Sequence, residues 1–173
     1  MVSMIFLTIV SVGFARSGIT KLATEFLGYK INEIIQKASN EVANLKESEF
    51  KDNPVFVEEV KKGIEAYAQS ITKPDIESFI AVDTKGIVRL STDSFIKVGT
   101  EIDFFNLFQT KESDWISFKV KGMQKVGFYK YFPEWDYYFL LSVYSSMFYR
   151  DANNLFNNSI IIVCSKKKII ARF

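Results

Sequence analysis

The sequence predicts an α+β protein in which a long N-terminal helix and a second helix pack on a five-stranded antiparallel sheet. From Ile19 to Leu45 apolar residues recur every three or four positions, the period of a helix with one buried stripe. Asn53-Pro54 opens a second helical pattern, and beyond Pro74 the period shortens to the two-residue alternation of strands. Helices first and strands afterwards is the order of the α+β class.

The elements follow in turn. Met1 to Ala15, MVSMIFLTIVSVGFA, has no charge and is mostly apolar, yet as a helix it spans only about 22 Å of a hydrocarbon core roughly 30 Å thick. It reads as a membrane anchor extending through Ser17-Gly18-Ile19, or as a signal-peptide core with Gly13 and Ala15 before a cut. A buried core helix is the third reading. The missing basic start favours the anchor. Ile19, Leu22, Phe26, Ile31, Ile34, Ile35, Ala38, Val42 and Leu45 then form an apolar stripe, with Lys21, Glu25, Lys30, Glu33, Lys37 and Glu41 on the other faces. Only Gly28 weakens this helix, by around 1 kcal/mol relative to alanine. Joined to the first segment it would reach roughly 65 Å, a rod between membrane and domain or half of a homodimer. An ordinary core helix is the alternative.

Asn53 is a natural cap for a helix with Pro54 at its first position, where the missing N–H costs nothing. Val57, Val60, Ile64, Tyr67 and Ile71 mark its apolar face, and Thr72-Lys73-Pro74 stops it. Glu77 to Val82 and Ile87 to Thr92 read as a hairpin around Asp83-Thr84-Lys85-Gly86, glycine supplying positive φ. After an irregular stretch, Gly99 to Asp103 leads into a short helix with Ile102, Phe105 and Phe108 inward. Trp115 to Val120, Lys125 to Phe132 and Tyr137 to Tyr144 complete the sheet, the last two joined by Pro133-Glu134-Trp135-Asp136. Those two acids sit where acids usually cap turns, so PEWD reads as a corner.

Composition narrows the function. At 173 residues and 48% hydrophobic the chain can bury one proper core. The formal charge is +2, and Lys166, Lys167, Lys168 and Arg172 supply the excess; the body is nearly neutral, without the basic stripe that nucleic-acid binding requires. The single cysteine, Cys164, has no disulfide partner within the chain. The lack of histidine removes Ser/His, Cys/His and His-metal arrangements, and there is no calcium loop or glycine-rich phosphate loop. The expectation is a non-enzyme without metal or cofactor. A carboxylate hydrolase pairing Asp83 with Glu134 or Asp136 is the enzymatic alternative.

Two phrases carry a family resemblance. FIAVDTKGIVRLSTDSFIKVGTEID resembles the core of extracellular Cache domains, the PAS-like sensors of bacterial chemoreceptors and sensor kinases. YKYFPEWDYYFLLSVYSSMF is similar to the closing strands of single-Cache domains, which exit into a helix leading to a second membrane span. The likeness covers about Ile19 to Asn158. It departs at the end, where Ile160-Ile161-Ile162-Val163-Cys164 breaks into Ser165 and three lysines, too short to cross a bilayer. The expected organisation is an anchor or signal segment in 1–18, a Cache-like sensor with a helical stalk in 19–153, and an exit helix with a truncated second membrane segment and basic tail in 154–173.

The resemblance implies an extracytoplasmic receptor domain in the cell membrane that binds a small molecule and relays the change through helices. A truncated non-signalling fragment or a membrane-anchored interaction protein is the alternative. By strand alternation Arg89 and Ser91 share a side of their strand opposite Val88 and Leu90, and Tyr129 and Tyr131 share a side of the facing strand. Arg89 could hold a carboxylate or amino acid bidentately while Trp115, Tyr129 and Tyr131 wall the pocket. The expected ligand-binding residues are therefore Arg89, Ser91, Trp115, Tyr129 and Tyr131; an Arg facing water and aromatics in plain core packing are the competing readings.

Overall fold

The computed structural model describes the backbone of residues 2–48, 53–108, 112–148 and 150, and the side chains of 24–48, 53–108, 112–147 and 150. The chain divides into two compact units, one of them Glu25–Ser145, to which all contacts below belong. The elements are α1 (Val2–Glu47), α2 (Pro54–Ile71), β1 (Glu77–Asp83), β2 (Val88–Ser91), a 3-10 turn (Phe105–Leu107), β3 (Ser113–Val120), β4 (Met123–Phe132), β5 (Tyr137–Tyr144) and α3 (Ser145–Phe148). This is the expected α+β architecture. The sheet order is β2-β1-β5-β4-β3 with every pair antiparallel, an arrangement compatible with a PAS-like fold. The central strands β1 and β5 are buried almost end to end, as strands covered on both faces must be.

One face carries the helices. Leu27, Ile31, Ile34, Ala38 and Val42 of α1 are buried, as are Ile64 and Ala68 of α2. A Cβ on Gly28 would lie 4.0 Å from the Phe128 ring. Lys30 Nζ donates to Glu77 Oε2 at 2.5 Å and Lys130 Nζ to Asn32 Oδ1 at 2.9 Å, tying α1 to β1 and β4. Lys61 of α2 donates to Tyr137 Oη at 3.1 Å, and Tyr67 Oη donates to Glu33 Oε1 at 2.5 Å, joining the helices. Asn53 Oδ1 accepts from Val55 N at 3.0 Å, the cap read from the sequence.

Among the described residues the other face carries no α-helix. It is covered by the 92–108 segment of the connection, which sends Ile96, Ile102, Phe104 and Phe108 onto Ile80, Val82, Ile116, Phe118, Tyr129, Tyr138 and Leu140. Ile102 and Phe108 are buried as expected and Phe105 packs partly buried against the same cluster, while Phe104, just before the turn, is also buried there. The connection is stitched to the sheet edge: Val88 N donates to Thr100 O at 2.9 Å, Gly99 N to Val88 O at 2.8 Å and Ile102 N to Gly86 O at 3.0 Å. Gly86 has φ +82° with Phe105 Cγ 3.2 Å from the position of a Cβ, so both backbone and space there call for glycine.

Strand β2 corrects a sequence expectation. Val82 pairs with Val88 and Ala81 with Leu90, so Arg89 is the extra residue of a bulge. An extra residue shifts the alternation by one. Arg89 and Ser91 therefore do not share a face: Ser91 pairs with Ile80 on the connection side, whereas Arg89 turns to Asp83, which pairs with Tyr137 on the helix side.

Among the described residues no helix is long and apolar enough to cross a membrane. The side chains of the Met1–Ala15 segment and the whole of the 154–173 exit segment, to which the sequence assigns membrane roles, lie outside the described residues.

Candidate functional site

The face of the sheet opposite α1 and α2 divides into an aromatic part and a polar part. Tyr129 and Tyr138 stand on β4 and β5 at a centroid distance of 5.9 Å. Phe108 reaches in from the connection to 4.9 Å from Tyr129 and 5.2 Å from Tyr138. Phe104 stacks on Phe118 at 4.1 Å. Tyr131 lies at the margin, 5.2 Å from Tyr138, and its hydroxyl donates to Asp136 Oδ1.

Two positions before Gly127 on the same strand face, the interior becomes ionic. Lys125 Nζ pairs with Asp93 Oδ2, donates to Ser78 Oγ at 2.9 Å and sits 4.6 Å from the Tyr144 ring centroid. Ser78 and Ser142, directly paired on β1 and β5, share a hydrogen bond of 3.0 Å. The side chains of Lys125 and Asp93 are 2% and 1% exposed. Asp93 Oδ1 also accepts from Phe95 N at 2.7 Å and Ile96 N at 3.2 Å. Burial pushes the Asp93 carboxyl up, but the hydrogen bonds from Lys125 and Phe95, the lysine charge and Ser78 outweigh it, so the carboxyl is held below the usual range. Burial, then the Asp93 charge, raises the Tyr144 phenol. The polar inventory closes: among the described residues no buried side-chain nitrogen or oxygen lacks a partner.

The five residues chosen from the sequence separate. Tyr129 is fully buried in the aromatic part, with Tyr131 beside it. Ser91 is on the same face but braces the connection, its hydroxyl donating to Ile96 O and accepting from Asp93 N. Arg89 donates from Nε at 2.9 Å and Nη2 at 2.7 Å to Asp83 Oδ2, with its side chain 46% exposed. Burial raises the Asp83 carboxyl, but hydrogen bonds from the Ile87 amide, Arg89 and the Lys85 amide, with the Arg89 charge, bring it below its ordinary value. Trp115 pairs across to Phe128, which faces α1, so it is on the opposite side from Tyr129. Only Ser91, Tyr129 and Tyr131 are brought to one face.

Lys125, Asp93, Ser78, Ser142 and Tyr138 escaped the sequence reading. The available signal was parity: Lys125 stands two and three strand steps of two from Tyr129 and Tyr131, so a face expected to hold aromatics also had to hold an ammonium. Asp93 gave no such signal, because an acid in an irregular stretch usually caps a turn.

PEWD is a corner. Trp135 packs 5.1 Å from Phe132 and 6.0 Å from Tyr137, and Asp136, at φ +57°, accepts from Tyr131 and from Thr84 Oγ1 at 3.2 Å. A groove of about 430 Å³ between α1 and α2 is lined by Lys37, Glu41, Leu45, Phe56, Glu59 and Val60. Its Lys37–Glu41 pair is partly exposed, so its charges answer each other in solvent. Among the described residues no group of three or more acids, cysteines or histidines could hold a metal ion.

No protein-family model matches the chain, and no curated protein matches its sequence.

Proposed function

We propose that the Glu25–Ser145 unit is a Cache-like sensor, the extracytoplasmic ligand-binding part of a membrane chemoreceptor or sensor kinase. A small molecule is held between the sheet face bearing Tyr129 and the 92–108 segment of the connection. The observation that carries this reading is the buried Lys125–Asp93 pair bridging connection and sheet. Desolvating two charges costs several kcal/mol per ion, and an apolar pair would serve packing as well. A charged pair in such a place suits a junction that must open and close. The quoted Cache-like phrases and the PAS-compatible sheet support the same reading.

A route for the signal is present within this unit. Displacing the connection acts on β1 and β4 through Ser78 and Lys125, and the same strands hold α1 through Glu77 and Lys130. A ligand shifts such an equilibrium only by its differential affinity for the two states. Thermal-shift screening of the full chain against carboxylates, amino acids and purines tests the proposal. A binder at about one hundred times its Kd adds about 2.7 kcal/mol, a readily measured rise in Tm. A library that leaves Tm unmoved throughout defeats it.

A further inference from the structure

We infer that Lys125, Ser78 and Ser142 form a carboxylate-binding site on the central strands, that the chain's own Asp93 is its resident occupant, and that the sensed molecule is a small monocarboxylate that takes Asp93's place. This rests on the proposal that this face receives a ligand, and names the ligand's chemistry.

The argument begins with which partner can leave. Lys125 on β4 and Ser142 on β5 are paired with a neighbouring strand on both sides, and Ser78 on β1 is paired with Ser142, so their backbones are held. Asp93 lies in the connection, and its two carboxylate oxygens have separate duties. Oδ1 caps its own turn through the Phe95 and Ile96 amides, whereas Oδ2 alone reaches the sheet. Releasing this carboxylate from Lys125 and Ser78 leaves the turn's own amide hydrogen bonds intact, and the turn then stays tied to the sheet edge through the Ser91 hydroxyl, which accepts from Asp93 N and donates to Ile96 O.

The chemistry of the vacated position follows. A buried ammonium left without an anion is strongly unfavourable, so a neutral or cationic molecule cannot substitute for Asp93. A carboxylate of the size of formate or acetate restores the charge-assisted bond to Lys125 and reaches the Ser78–Ser142 pair. One negative charge balances one ammonium, so a monoanion suits the site better than a dianion. Asp93 thus sets a threshold: an incoming carboxylate competes with an attached one, which lowers affinity and couples binding to movement of the connection.

Chemical rescue tests this in the full chain. Asp93→Gly removes the occupant and is expected to lower Tm in chloride buffer. Formate or acetate at equal ionic strength should restore Tm with equal increments for each tenfold rise in concentration, and acetamide and methylammonium should not. Adding Lys125→Met should abolish the carboxylate-specific rescue. Equal Tm in chloride, formate and acetate overturns the inference, as does rescue that survives Lys125→Met. Should Asp93→Gly fail to fold, the wild type gives the answer: acetate moves the Phe95 and Ile96 amide resonances if Asp93 is displaced, and static resonances overturn the inference. A wild-type response to non-carboxylate ligands alone defeats this inference and leaves the sensor reading standing, whereas no response to any ligand defeats the sensor reading.

Discussion

Replacing Lys125 by Met keeps the length and most of the volume of the side chain while removing its charge, so the packing around β4 is largely preserved. What changes is Asp93, which at 1% side-chain exposure loses its counter-ion. Breaking a buried pair by removing one partner costs about 3–5 kcal/mol. Asp93 retains the Phe95 and Ile96 amides at 2.7 and 3.2 Å, so the expected loss is at the lower end, about 3 kcal/mol. The pH dependence has a definite sign. In the wild type the Asp93 carboxyl is depressed, so the pair's stabilisation is fully present above the unfolded value of about 3.9 and is lost as pH falls through the lower folded value. In Lys125→Met burial dominates and raises the carboxyl, so the deficit is greatest near neutrality and shrinks as acid protonates Asp93. Urea unfolding of both proteins across this range measures the difference, with the slope m expected unchanged. The double variant Lys125→Met/Asp93→Asn should recover most of the loss, because Asn still accepts from the turn amides and no unpaired charge remains. A deficit under about 1 kcal/mol that does not vary with pH would refute the buried pair and the reasoning built on it.

Other substitutions probe the frame. Gly127→Ala places a Cβ 2.7 Å from Leu141 O and 2.8 Å from Leu140 Cδ1, and backbone must move; a loss of about 1–3 kcal/mol in denaturant unfolding is expected, and a neutral result would mean the β4–β5 approach is looser. Asn53→Ala removes the acceptor for Val55 N and should cost about 1 kcal/mol, checked by the same unfolding curves. Arg89→Ala removes the two hydrogen bonds that a half-exposed guanidinium donates to Oδ2 of the buried Asp83 and should cost about 1–2 kcal/mol, since Asp83 keeps the Lys85 and Ile87 amides; because Arg89 is on the helix side, any carboxylate-induced thermal shift should persist, and its loss would return Arg89 to the site.

Much of the frame was legible because local physics writes it into neighbouring residues. The α2 cap needs only Asn53 and Pro54, and β5 is read from Tyr137 to Tyr144 with the boundaries it has in three dimensions. The hairpin before β2 is legible in Asp83 and Gly86, whose roles depend on residues within four positions. Failure came where one residue breaks a period. Arg89 was assigned a face by alternation, and a bulge, invisible in composition, turned it to Asp83.

The sequence by itself determined the class, the order of elements and the corner at PEWD, since hydrophobic period and turn chemistry act over a few residues. It also placed Tyr129 and Tyr131 on a common side. Only the tertiary structure decided what that side holds. The partnership of Lys125 with Asp93, 32 positions apart, and of Ser78 with Ser142, 64 apart, depends on which strands become neighbours and which face the connection crosses. Strand pairing joins residues without regard to their separation along the chain, so the chemistry of the site follows from the sheet order β2-β1-β5-β4-β3 and is written in no single stretch of sequence.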